Sequence, residues 1–139
     1  MGEPWAPFKN DQVEWVPLLT VSLSLKNVPP SYSFEVLLDT GSPICLFRAD
    51  LGRSLGLEIE SGPVQRIGGF ATNSTEPAYF HTVNLHVGTN WAVEIKAGFV
   101  ENLSMAGLLG RRGFFENFVV RFDHSSSPPY FDLEKISLI

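Results

Sequence analysis

The stretch Leu37-Leu38-Asp39-Thr40-Gly41-Ser42 constrains this 139-residue chain more than any other. Tyr32, Phe34, Val36 and Leu38 share one face of a β-pattern, and Leu37 makes the last positions apolar on both faces. A strand reads this way where it enters an interior. The run ends in a carboxylate, then a hydroxyl residue, a glycine and a second hydroxyl residue. The chain must therefore turn tightly while delivering an acid to the end of a buried strand. The pattern occurs once: Asp11 precedes Gln12, Asp50 precedes Leu51, Asp123 precedes His124 and Asp132 precedes Leu133.

Strands dominate the remainder. Leu19, Val21, Leu23 and Leu25 alternate with Thr20, Ser22 and Ser24, which predicts a half-buried strand. Asn27 to Ser31, with paired prolines, connects it to the strand Tyr32–Leu38. Ile44 to Phe47 resumes as a strand, and Arg48 to Leu55 reads as a short helix stopped by Gly56. Ile67-Gly68-Gly69-Phe70 has the adjacent glycines of a hairpin tip. Thr82–Val87 and Ala92–Val100 follow as strands joined by Gly88-Thr89-Asn90. Met105–Leu109 is a further strand closed by Gly110, Arg111–Phe118 a short helix, Val119–Asp123 a strand and Tyr130–Ile139 the last one. The loop Ser125–Pro129 separates these final two. Residues 1–16 read as an arm, with regular structure expected after Pro17, and residues 17–139 as one mainly β domain.

Composition narrows the functions. A hydrophobic content of 44% with 18% charged residues suits a packed core, and a net charge of −5 makes nucleic acid and anionic membrane poor partners. No apolar run approaches the roughly 18–20 residues of a membrane span, and no signal peptide is expected. Met1-Gly2 lacks the hydroxyl residue that myristoylation wants at position 6, which is Ala6. Asn73-Ser74-Thr75 and Asn102-Leu103-Ser104 satisfy the glycosylation sequon, which matters only in a secreted protein. One cysteine, Cys45, excludes an internal disulfide and fits a reducing, cytoplasmic setting.

Taken in order, these motifs resemble the retropepsin-like aspartic proteases, the half-size, retroviral-type class. Pro17–Val21 is similar to that family's opening strand, Phe34–Gly41 to its catalytic strand and loop, and Ile67–Phe70 to its glycine-rich flap. Leu108-Leu109-Gly110-Arg111 is similar to the apolar-apolar-glycine motif of its crossing strand, with the family's arginine and helix after it. The resemblance covers about Pro17 to Phe118. It implies an all-β acid-protease fold, a closed β-barrel or sandwich with one or two short helices, one lobe per chain. Ser42 stands where retroviral enzymes commonly carry alanine. Pro43 and Ile44 replace further aspartates, so the family's ion pair to Arg111 is lost. The chain's end, through Phe122-Asp123, is closer to that of a pepsin lobe.

Peptide hydrolysis of this type needs two carboxylates a hydrogen bond apart that share one proton. This chain offers one, Asp39, so the resemblance implies a homodimer with the two Asp39 side chains on its two-fold axis. Thr40 would tie the loops together across that axis. Gly41 would offer its N–H, and Ser42 a further hydrogen bond to the carboxylate or substrate. Ile67, Gly68, Gly69 and Phe70 would close over a peptide or protein substrate, with Leu108 and Leu109 lining or backing apolar subsites. No metal or cofactor is expected.

Two other readings stay open: a non-catalytic peptide-binding or dimerisation module, and a segment whose second aspartate comes from a partner domain. Other patterns carry less. Gly52-Arg53-Ser54-Leu55-Gly56 fits a nucleophile-elbow pattern, but Ser54 falls inside the expected helix. Gly107, Gly110 and Gly113 lack the Gly-Lys-Ser/Thr of a phosphate loop. His81 and His86 fall on opposite faces of a strand, wrong for one metal. His124 reads as a loop residue and Cys45 as inert core.

Overall fold

Period-two alternation builds the strands that carry this fold. The computed structural model describes residues 6–7, 9–11, 14–68 and 75–137. Its first strands are β1 (Ala6–Pro7), β2 (Lys9–Asp11), β3 (Glu14–Val16), β4 (Leu18–Ser24), β5 (Phe34–Leu38) and β6 (Leu46–Arg48). After helix α1 (Ala49–Ser54) come β7 (Val64–Ile67), β8 (Glu76–Val87), β9 (Trp91–Val100), β10 (Gly107–Leu109), β11 (Phe118–Asp123) and β12 (Tyr130–Lys135). In β4, Val21 and Leu23 turn inward, and in β8, Val83, Leu85 and Val87 do the same.

Six strands close on themselves. β4, β5, β10, β6, β9 and β8 lie side by side, and β4 returns to β8 through Val21↔Val87 to Ser24↔Asn84. Closure removes the open edges that a flat sheet of this size would present. β8 is long enough to hold β7 at its start (Val64↔Tyr79 to Ile67↔Glu76) and β4 at its end. Phe47, Phe99, Phe114, Phe118 and Phe131 are wholly buried. Phe47 meets Phe34 edge-on at 6.0 Å, and Phe114 stacks on Phe118 at 4.8 Å.

β10 crosses between two strands that are neighbours in sequence. It runs parallel to β5 (Leu108↔Leu37, Leu109↔Leu38) and antiparallel to β6 (Gly107↔Phe47, Leu108↔Leu46). The segment joining β5 to β6, residues 39–45, therefore arches over the end of a strand laid between them.

Several expectations change. The strand expected from Tyr32 begins at Phe34, and Tyr32 is 68% exposed. Ser31 takes the ladder's place: its N–H donates to the Leu23 carbonyl (2.7 Å) and its hydroxyl accepts from the Leu23 N–H (3.1 Å). The expected helix Arg111–Phe118 is a kinked turn over Arg111–Phe115, with Gly113 at φ 101° and Phe118 already in β11. A left-handed glycine ends a helix rather than continuing it. Regular structure also starts earlier than expected, since β1 pairs with β12 (Ala6↔Phe131, Pro7↔Tyr130).

β1, β12 and β11 form a second sheet. Arg121 spans it, donating from Nε to Asp132 Oδ1 at 3.0 Å and from Nη2 to Oδ2 at 2.6 Å, directly across the strand pair. That guanidinium holds the buried Asp132 carboxyl below its ordinary range. A lowered folded pKa stabilises above the ordinary carboxylate pKa of about 3.9, and that stability is lost as pH falls through the folded value. The melting temperature of the protein should therefore drop as pH falls below about 4. Asp132→Asn should melt lower at neutral pH and show a shallower acid drop in a melt series from pH 2 to 6. An unchanged slope would assign the acid sensitivity elsewhere.

Candidate active site

Val36 and Leu38 sink into the core at the end of β5, which leaves Asp39 half-buried where the strand emerges. Its N–H donates to the Leu109 carbonyl at 3.0 Å, so the crossing strand sets where the acid begins. The Ser42 N–H closes the turn on the Asp39 carbonyl (3.1 Å), and the Gly41 N–H donates to Asp39 Oδ1 (3.0 Å). A backbone donor aimed at a carboxylate oxygen fixes its rotamer.

The loop is clamped from below by residues 110–112. Arg111 Nη1 donates to the Thr40 carbonyl at 2.7 Å, and the Arg111 and Arg112 N–H groups donate to the Ser42 and Pro43 carbonyls at 2.9 and 3.0 Å. The aspartates that Pro43 and Ile44 replace are thus not needed to hold Arg111. The sequence alone leaves its partner open because a backbone carbonyl carries no signature in the residue code.

Gly110 sits beneath this clamp. A Cβ there would collide with the Ile44 carbonyl and lie 2.7 Å from the Ser42 carbonyl oxygen. Cys45 completes the floor, accepting from the Gly110 N–H at 3.4 Å and donating to the Arg112 carbonyl at 3.4 Å. Burial pushes its thiol up to about 11, so it is packing, as its apolar setting suggested.

Three expected contact residues turn inward. Ser42 is 0% exposed, and its hydroxyl donates to the Ile44 carbonyl at 2.7 Å and accepts from the Ile44 N–H at 3.3 Å. It braces the loop instead of reaching the carboxylate or a ligand. Leu108 and Leu109, expected to line or back apolar subsites, are 1% and 0% exposed, enclosed behind the loop. β10 is buried by a strand on each side, which the sequence of three small and apolar residues does not reveal.

Ile67 ends β7 half-buried, in one apolar cluster with Ile44 and Leu108, and Gly68 follows it exposed. Gly69 and Phe70 lie outside the described residues. The hairpin is braced at its base by Arg66, whose Nε donates to Thr75 Oγ1 at 3.1 Å and Nη2 to the Thr75 carbonyl at 3.2 Å.

The remaining patterns disperse. Ser54 donates to the Leu51 carbonyl within α1, and Arg53 pairs with Glu101 and Glu60. His81 Nε2 bonds the Ile59 carbonyl at 2.9 Å, while His86 Nε2 meets Ser24 Oγ at 2.7 Å, so the two rings serve different partners.

A family model described as Aspartyl protease matches residues 23–112, well over half of the chain. Among solved structures, the chain is similar to a retropepsin-like aspartic protease from Rickettsia conorii. That match has a TM-score of 0.60 at 16% identity and covers 94% of this chain and 96% of that one. EIAV protease complexed with the inhibitor HBY-793 matches with a TM-score of 0.48 at 17% identity, covering 74% of this chain and 88% of that one. No curated protein matches the sequence significantly.

Proposed function

The chain belongs to the aspartyl protease family and has the retropepsin-like fold, and from that premise we propose that it is an endopeptidase acting as a homodimer. The observation that carries this reading is the single Asp-Thr-Gly-Ser loop, pinned by Leu109 and Arg111 at the mouth of a closed barrel. One such loop supplies half of a two-carboxylate centre, and a two-fold axis supplies the rest.

The residues then divide the work. One Asp39, ionised, takes a proton from a water whose oxygen attacks the scissile carbonyl carbon. The partner subunit's Asp39, protonated, donates to the carbonyl oxygen. Collapse of the tetrahedral diol breaks the C–N bond as a proton passes to the leaving nitrogen, and the pair again shares one proton. The Gly41 N–H keeps the carboxylate aimed, and the Thr40 hydroxyl joins the two loops across the axis. The hairpin continuing from Ile67 and Gly68, with Gly69 and Phe70, closes over an extended peptide and excludes water.

Concentration tests this directly. Cleavage of denatured casein between pH 3 and 8, with mass followed by light scattering, should give a rate per chain that rises with protein concentration. It should level off as the mass reaches twice that of the chain. Full activity in a strictly monomeric sample would sink the shared-carboxylate mechanism, and a stable dimer that cuts nothing at any pH would sink the peptidase reading.

A further inference from the structure

A cleft of about 550 Å³ lies beside the Asp39 loop, and none of residues 39–42 lines it. One wall is Ile44, at the far end of that loop; another is Val64 and Gln65 of β7, the strand that leads into the hairpin. Its lining includes Phe80, whose ring lies against Gly98, directly opposite it on β9. Any side chain at 98 would displace that ring, since a Cβ there would lie 3.2 Å from it.

Charge sets this cleft apart. Lys96 and Arg112 both line it, and among the described residues no aspartate or glutamate does, in a chain with 15 acidic and 10 basic residues. Among the described residues no ion pair engages Lys96 or Arg112. Among the described residues the Arg112 side chain engages only the Pro43 carbonyl, through Nε at 3.4 Å. Thr82 sits opposite Lys96 in the β8–β9 register and adds a hydroxyl. Two cations beside an apolar wall match a side chain with an aliphatic stem and a terminal carboxylate.

The geometry points to this cleft as a recognition pocket for an acidic residue, glutamate by preference, of the extended peptide substrate, at a position removed from the scissile bond. The inference rests on the reading of the Asp39 loop and β7 as two sides of a peptide groove. An extended chain running between them must pass Ile44 and Gln65, and its outward side chains alternate, so one substrate position faces Lys96 and Arg112.

Binding, not cleavage, is the first test. Fluorescein-labelled octapeptides with an apolar background, each carrying one Glu or its Gln counterpart at successive positions, are titrated into the Asp39→Asn chain by anisotropy. At one position Glu should bind about tenfold tighter than Gln, and the gap should narrow with added salt. Lys96→Glu with Arg112→Glu should remove the gap. Lys96→Gln, at an exposed position, should cut it severalfold without touching the Pro43 contact. Equal binding of Glu and Gln peptides at every position, or a gap that survives the double variant, overturns the inference. Wild-type hydrolysis of the same peptides is scored separately. A Glu preference without cleavage keeps the pocket and removes the peptidase reading, whereas cleavage without a preference does the reverse.

Discussion

Asp39→Asn should melt within a few degrees of the wild type, keep the mass of the proposed dimer, and hydrolyse casein at least about 10⁴-fold more slowly. The amide matches the carboxylate in shape, and its oxygen can still accept from the Gly41 N–H, so the loop loses no bond that the structure displays. Its chemistry is another matter. A neutral amide takes no proton from water, and in a symmetric dimer the exchange removes base and acid together. Mixing equal amounts of wild type and variant adds a second signature. Random pairing leaves about one quarter of dimers with both carboxylates, so activity should fall to about half of what the wild-type chains alone would give. Fragment release by chromatography and a thermal melt on the same samples decide the matter. A variant retaining a tenth of the rate would move the chemistry to other groups.

Gly110→Ala is expected to be as damaging to the fold as Asp39→Asn is to the reaction. The added methyl group would run into the Ile44 carbonyl oxygen and press on that of Ser42. The φ of Gly110 is −112°, ordinary for alanine, so the cost comes from contact and not from backbone strain. Neither carbonyl can retreat easily, because the Ser42 oxygen is held by the N–H of Arg111, the next residue in the chain. Overpacking against fixed backbone should cost about 3 kcal/mol and lower the melting temperature by about 10 °C. Gly56→Ala is the control. It has φ 98° and nothing within 4 Å of a Cβ, so only the left-handed penalty of about 1 kcal/mol applies. If the two variants melt alike, the close approach at Gly110 relaxes more readily than its geometry implies.

Local pattern made much of this fold legible. Alternation located β4, β9 and the second half of β8 from Thr82, and the apolar run before Asp39 located β5, because burial on one face repeats every second residue. The first half of β8, from Glu76, was not foreseen. The Asp-Thr-Gly-Ser loop was equally plain, and its place at the end of a buried strand agrees with the structure. The features that local pattern could not reveal are set by partners far along the chain. Residues 6–7 gain strand geometry from Tyr130 and Phe131, and Arg111 finds its acceptor 71 positions away. Ser42 appeared free to serve a carboxylate, yet the loop curls its hydroxyl onto Ile44. A short helix was expected over Arg111–Phe118, and Gly113, with its positive φ, kinks the segment into a turn over Arg111–Phe115.

The strand crossing at β10 also has a consequence in time. The Asp39 N–H and the Thr40, Ser42 and Pro43 carbonyls are all held by residues 109–112. A nascent chain exposes its acid long before those residues leave the ribosome, and closing a loop of that length is slow compared with pairing neighbouring strands. An emerging chain thus carries a scattered set of parts until synthesis has passed residue 112. The order of synthesis itself leaves the Asp39 loop without its supports until residues 109–112 are available to hold it.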